Sequence, residues 1–410
     1  MNRVIFLNRF FYPDHSATSQ ILSDLAFYLA ALGWDIHVVT SRMLYDNPKV
    51  DLPPHELVRG VNIHRLRTTR FGRVGLPGRV MDYASFYSAI CRHLLAHVRN
   101  DDIVVAKTDP PFLSIPAIRI ARRRGFRVVN WLHDIYPEIA VELGVPLLKG
   151  PIGWALASMR DRSLQEANAN IVLGERMASR LRKRGVPTDR IHIIPNWTDD
   201  EQITAVAPAD NPLRSEWNLQ GKFVVGYSGN LGRAHEFETV ISAAGRLRDD
   251  RRIVFVFVGG GFQHSELARR VREQKLDHLF RFFPYQDRQQ LKFSLSVPDL
   301  HWISLKSELE GLIFPSKLYG VAAAGRPIIA ISAKDGEIAS LVEKHQCGFG
   351  IAPGDSIALA EIIRTLSGQP EQCATMGHRA RAMLDEHFTR RQGFERWRHA
   401  LESVGNSSTP

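Results

Sequence analysis

The residues best equipped for chemistry lie in one run, Glu310-Gly311-Leu312-Ile313-Phe314-Pro315-Ser316-Lys317, continued by Leu318 into a helical pattern that stops near Gly325 and Pro327. An acidic, glycine-containing segment meets a proline, and a helix opens with Ser316 and Lys317. The first amides of a helix have no acceptor within it, so a lysine beside them makes a place for phosphate. The carboxylate of Glu310 repels a bare phosphate. Together they suggest an anionic ligand joined to a polyhydroxyl part, as in a nucleotide sugar.

A glycine-rich turn, Gly226-Tyr227-Ser228-Gly229-Asn230-Leu231-Gly232, follows an apolar run and precedes a helix expected near His235. Gly229 and Gly232 let the backbone approach an anion, with Asn230 beside it and Arg233 as a second cation. The dinucleotide spacing G-x-G-x-x-G is absent, and a tight strand-to-helix turn accounts for this segment alone equally well. Paired with Ser316 and Lys317, it becomes one side of a cradle. The turns Val258-Gly259-Gly260-Gly261 and Phe282-Phe283-Pro284-Tyr285 either cover a nucleobase, Pro284 among the contacts, or serve local packing.

In the first half, Asp14, Ser16 and Thr18 sit in a loop after the first strand, where they either cap a helix or close over the same diphosphate. His133, Asp134 and Glu138 follow another strand. One reading makes them a buried structural pair; the other has His133 bonding a sugar hydroxyl, with Asp134 or Glu138 orienting it or binding the acceptor. No Asp-x-Asp pair occurs. Metal-independent chemistry without a cofactor is expected, with lysine, arginine and backbone amides stabilising the leaving group.

The elements that must position these residues alternate between strand-like and helical runs, which argues parallel sheets. First-half strands read as Val4 to Asn8, Ile36 to Thr40, Val61 to Leu66, Ile103 to Lys107, Arg127 to Leu132, Ile171 to Leu173 and Ile191 to Ile194. Helices between them include Ser19 to Leu32, Arg79 to Val98, Phe112 to Arg124 and Glu175 to Arg184. After a linker beginning at Pro195-Asn196-Trp197, a second series reads Val224 to Tyr227, Ile253 to Val258, Phe280 to Phe282, Leu300 to Ile303, Ile328 to Ile331 and Gly348 to Ile351. The expected fold class is α/β, two doubly wound Rossmann-like domains facing across a cleft. The expected boundaries are an acceptor-side domain over 1–200, a nucleotide-sugar domain over 215–388, and over 389–410 a helix that crosses back to the first domain, with a frayed tail from Gly405.

The length of 410 residues suits two domains. Cys91, Cys347 and Cys373 have neither metal-ligand nor disulfide-framework spacing. Neither a signal peptide nor a membrane span is legible, so a cytoplasmic protein, soluble or peripheral to the inner face of the plasma membrane, is expected. Nearly all of the formal charge of +10 falls in residues 1–200, with 27 Lys and Arg against 19 Asp and Glu. Its densest part, Arg65, Arg67, Arg70, Arg73 and Arg79, surrounds the turn-rich segment Phe71-Gly72-Arg73-Val74-Gly75-Leu76-Pro77-Gly78. That loop either contacts an anionic membrane or a lipid diphosphate, or is simply solvated. No nucleic-acid-binding pattern accompanies the charge.

With these residues in place, the chain resembles the GT-B retaining glycosyltransferases of family 4, in particular the polysaccharide-assembly branch of colanic acid and O-antigen sugar transferases. Tyr12-Pro13-Asp14, Trp131-Leu132-His133-Asp134, Tyr227-Ser228-Gly229-Asn230-Leu231-Gly232, Pro315-Ser316-Lys317-Leu318-Tyr319 and Ala323-Ala324-Gly325-Arg326-Pro327 carry the likeness in order. The family's two glutamates, eight positions apart, fall on Leu312 and Gly320, so the ribose contact is unassigned. Its arginine and lysine after the first strand of the second domain fall on Asn230 and His235. Glu310, two places from Leu312, replaces the first glutamate only if the loop differs in length or shape, and Lys317 with Arg233 would have to carry the positive charge. With these departures the residues expected in catalytic roles are His133, Glu310 and Lys317, and the donor contacts Gly229, Asn230, Gly232, Arg233, Pro284, Ser316 and Leu318. The cradle and the basic first half together suggest transfer to a polyprenyl-diphosphate-linked saccharide acceptor. A sugar-nucleotide epimerase and a non-catalytic sugar-binding protein are the alternatives.

Overall fold

The computed structural model describes residues 3–72 and 75–406. The chain divides into two compact units, one of Met1–Pro195, Gly311–Ile313 and Gly393–Pro410, the other of Asn196–Glu310 and Phe314–Gln392.

Unit 1 is built on eight strands: β1 (Val4–Leu7), β2 (Ile36–Ser41), β3 (His55–Val58), β4 (Val61–Leu66), β5 (Ile103–Lys107), β6 (Arg127–Trp131), β7 (Ala169–Val172) and β8 (Ile191–Ile193). Their order is β3-β4-β2-β1-β5-β6-β7-β8. All pairings are parallel except β3 with β4. β3 has no counterpart in the sequence reading. It is a short, exposed edge strand joined to β4 through Arg59 and Gly60, both at positive φ, which is how a two-residue hairpin matches strand twist.

Unit 2 has six parallel strands: β9 (Phe223–Asn230), β10 (Ile253–Gly260), β11 (Phe280–Phe283), β12 (Leu300–Ser304), β13 (Ile328–Ile331) and β14 (Gly348–Ile351), in the order β11-β10-β9-β12-β13-β14. Successive residues of β13 serve different cores. Ile329 and Ile331 pack with Val225, Phe255 and Trp302, while Ile328 and Ala330 pack with Leu318, Tyr319 and Val342. A sheet covered on both faces needs such an unbroken apolar run, which is why its strands read as continuous rather than alternating.

The helix expected near His235 begins at Glu238 instead, leaving His235 in the turn before it. Gly405 belongs to the closing helix Arg390–Asn406 rather than to a frayed tail. In unit 1 that helix buries Trp397, whose ring centroid lies 4.4 Å from that of Trp131, and Phe394, stacked at 4.5 Å on Tyr28. The rings anchor it by area and by geometry.

Candidate active site

In a doubly wound sheet, ligands bind outside the carboxyl ends of the strands where the strand order reverses. Unit 2 reverses between β9 and β12, and unit 1 between β1 and β5. Each of these ends carries an unusual polar cluster.

At the end of β9, Gly229 has φ +117°, and a Cβ there would stand 3.1 Å from Lys317 Cε. Any larger residue is therefore both strained and in the way of the lysine. Lys317 opens the helix Lys317–Ala323. Its Nζ lies 3.1 Å from His235 Nε2 and 5.3 Å from the Tyr227 ring centroid. His235 is buried, with Nδ1 2.6 Å from the carbonyl oxygen of Ser304, the last residue of β12. A carbonyl only accepts, so Nδ1 carries the proton and the Nε2 lone pair faces the ammonium. Burial, reinforced by the charge of Lys317, holds His235 down to about 3. Burial also draws Lys317 down to about 8. Near neutrality the pair is a fixed cation resting on a neutral imidazole, placed to meet an anion that reaches the strand end.

The neighbouring turn is tied down. Gln263 Nε2 donates to the carbonyls of Gly232 at 2.5 Å and His235 at 2.8 Å. The Asn230 side chain folds over Gly261, whose added Cβ would lie 2.5 Å from Asn230 Oδ1. Arg233 stacks its guanidinium 3.9 Å above the ring of exposed Phe262. Pro284 is exposed and accepts from Gln286 Nε2 at 3.0 Å, and it is the adjacent Tyr285 ring that stands closest to Gly260. Ser316 is exposed just before the lysine. Leu318 is fully buried among Ile303, Ile328 and Ala330, so its side chain packs the core. Glu310 lies at the start of the helix Glu337–Lys344, where Oε2 accepts from the Glu337 amide at 3.4 Å, a favourable place for a carboxylate. At Gly320 an added Cβ would stand 3.4 Å from Leu295.

In unit 1, β5 ends in Lys107, 1% exposed, with Nζ 3.2 Å from the Thr18 carbonyl and 3.5 Å from the Trp131 ring centroid. Burial pushes this lysine well below its usual range, against the opposing pull of Asp109 and Asp134. Burial raises Asp109, while Arg9 and Lys107 work to lower it. Asp134 is raised to about 7 by burial and then by Asp109, with Lys107 opposing. His133 is buried and pushed well down by burial and by Lys107; among the described residues its Nε2 has no hydrogen-bond partner. The structure thus gathers His133 and Asp134 with Lys107 and Asp109. Sequence reasoning missed the last two, although a lysine closing the apolar run Ile103–Ala106 and followed by Asp109-Pro110 was the available signal. It also left His235 outside the site.

Other expected contacts are committed elsewhere. Asp14 accepts from the amides of Ser16 at 2.8 Å and Tyr45 at 2.5 Å, so it shapes its own loop. Ser16 occupies the N-cap position of the helix Ala17–Ala31 without a side-chain cap bond, and Thr18 Oγ1 donates to Asp109 Oδ2 at 3.4 Å. Glu138 is gripped by Arg160 at 2.6 and 3.0 Å and by Arg184 at 2.9 Å. Burial works to raise it, but the arginines prevail and hold it below the usual carboxylate range, so it is a structural anchor. Arg65 is 2% exposed, bonded to Glu56 at 2.7 Å and to the Tyr12 carbonyl at 3.0 Å, and cannot meet a membrane. Arg70 pairs with Asp51; Arg67 and Arg79 are exposed; Arg73 lies outside the described residues.

Comparison with known proteins identifies the family. Residues 17–197 match the family described as Glycosyl transferase 4-like domain, and residues 211–383 match Glycosyl transferases group 1. The chain is 28% identical over 397 residues to the "Putative colanic acid biosynthesis glycosyl transferase WcaI" of Escherichia coli (strain K12), covering 93% of this chain and 96% of that one. It is 27% identical over 299 residues to the "Probable glycosyltransferase WbjE" of Pseudomonas aeruginosa, covering 72% and 73%. Among solved structures, Anabaena Alr3699/HepE in complex with UDP and glucose superposes with a TM-score of 0.73 at 17% identity, over 98% of this chain and all of the other. From its two matched domains and its fold, the chain belongs to the family 4, or group 1, glycosyltransferases of GT-B type.

Proposed function

We propose that this glycosyltransferase moves a sugar, with retention of configuration, from a nucleotide-diphosphate sugar to a polyprenyl-diphosphate-linked saccharide during polysaccharide assembly at the inner face of the plasma membrane. The observation that carries the donor half is the cation Lys317, fixed over Gly229 by a neutral His235. In a transfer through an oxocarbenium-like transition state, negative charge grows on the departing phosphate. A preset cation stabilises that charge more than it stabilises the bound donor, so it lowers the barrier. The GT-B relative HepE was solved with UDP and glucose, which supports a donor of this class. Retention is carried by the likeness to retaining transferases of this family.

On the acceptor side, His133 and Asp134 are the groups offered to a sugar hydroxyl. Asp134, held at about 7, is matched to accept or hold a proton near neutral pH. No Asp-x-Asp pair occurs in the chain, so turnover independent of divalent metal is part of the proposal. The test is release of nucleoside diphosphate by purified protein from a panel of nucleotide sugars, with and without a polyprenyl-diphosphate saccharide. Acceptor-dependent release that survives a chelator is the expected result.

A further inference from the structure

We infer that unit 1 docks on an anionic bilayer surface through a second contact, the apolar tip formed by Leu147, Ile152 and Trp154. These side chains are 61%, 52% and 75% exposed. A single exposed apolar residue needs no explanation, but three on one tip, including a tryptophan, do. The tip is built rather than incidental. The turn Pro146–Leu148 is pressed so closely on the helix Pro151–Glu166 that a Cβ at Gly153 would overlap the Leu148 carbonyl, and only glycine permits this. The exposed Leu147 thus lies one residue from this contact, and Ile152 and Trp154 flank Gly153 on the first turn of the helix.

The charge around the tip specifies the partner. Lys149 is exposed within it, and Arg162 is exposed about two turns beyond Trp154 along the same helix. Arg119, on the neighbouring helix Ser114–Arg124, reaches across to Met159 Sδ at 3.4 Å. Among the described residues these three cations make no ion pair. The acids close by are already matched, Asp161 to Arg160 and Arg184, and Glu166 to Arg122. Glu142 is the one exposed carboxylate from Ile139 to Met159. Aliphatic tips, a tryptophan whose indole N–H stays wet, and unpaired cations are what a surface of anionic headgroups over acyl chains receives; a protein groove would call for fewer free charges. Phe71, Val80 and Met81, exposed at 58%, 55% and 53% beside Arg79, extend the same chemistry.

This surface rests on the lipid-linked reading for its purpose, but its test needs no sugar donor. The full-length protein is floated with phosphatidylglycerol-containing vesicles and, separately, with phosphatidylcholine vesicles at low and high salt. The wild type should bind the anionic vesicles and be released by salt. The double substitution Ile152→Ser with Trp154→Ser should weaken binding by about tenfold or more, given the apolar area withdrawn. Lys149→Glu should weaken it separately, and both variants should keep the wild-type melting temperature and activity on a detergent-dispersed acceptor. Undiminished vesicle binding by both variants overturns the inference, as does a wild-type dimer that the double substitution splits without any vesicle binding. Vesicle binding as expected, with no nucleoside diphosphate released in any assay, would instead remove the function proposed above and leave the docking surface standing.

Discussion

Replacing Lys317 with methionine should separate stability from activity. In the folded chain burial desolvates the ammonium and draws its pKa down to about 8, below the 10.5 of a freely solvated lysine. A proton bound less tightly in the native state than in the unfolded chain opposes folding. The cost is fully present below pH 8, amounts to roughly 3 kcal/mol at 1.36 kcal/mol per unit, and disappears as the pH rises from 8 to 10.5. Methionine keeps the packing against Gly229 without the charge. Lys317→Met should therefore raise the melting temperature at pH 7, by an amount reduced by the lost hydrogen bond to His235, and the gain should shrink toward pH 10. Activity should move the other way. Removing one fixed donor from a developing oxyanion costs about 100- to 1,000-fold in kcat. In the wild type, kcat/KM for the donor should fall as pH rises through about 8, where free Lys317 loses its proton. Thermal melts at pH 7 and pH 10, read beside the pH–rate profile, check both arms. A variant less stable than wild type at pH 7, or one that retains full turnover, refutes the reasoning.

Several other substitutions probe the same geometry. His235→Gln keeps an acceptor for Lys317 but loses the imidazole held by Ser304, and should lower kcat roughly tenfold with little change in melting temperature. A fall in stability as large as the fall in rate would mark His235 as merely structural. Gly229→Ala places a Cβ against Lys317 in a left-handed backbone, so it should cost about 1–2 kcal/mol of stability and most of the donor affinity, measured by calorimetry with a nucleoside diphosphate. In Asp134→Asn, the carboxyl that the fold keeps protonated up to about 7 becomes an amide. Because a raised carboxyl pKa favours folding below about 4 and loses that contribution as pH rises through 7, the variant should be relatively more stable at pH 8 than at pH 5. Its kcat should fall at both values, and an unchanged kcat would remove Asp134 from the acceptor site.

Much of the architecture was legible because buried parallel strands impose long apolar runs and the βαβ unit imposes their spacing. β4, β5, β13 and β14 begin and end where the residue types change. β3 escaped because an edge strand of four residues, mostly exposed, carries no apolar signature. Arg65 belongs by composition with its charged neighbours, yet Val61, Ile63 and Arg65 share one face of β4, and that face is inward. In the candidate site, the loops at strand ends were visible, but which side chains meet there was not. Lys317 and His235 are 82 positions apart, and only the reversal between β9 and β12 brings helix, turn and strand end together. Likewise Asp14 and Glu138 had the right chemistry at the right strand ends, and the fold spends them on a loop amide and an arginine pair. Local sequence cannot reveal such prior commitments.

The most direct test of the central claim is nucleoside diphosphate release by the wild-type enzyme and by Lys317→Met, from nucleotide sugars with and without a polyprenyl-diphosphate saccharide. Release by the wild type should require the acceptor and fall at least 100-fold in the variant. Release unaffected by the substitution, or conversion of the donor sugar with no acceptor present, would contradict it.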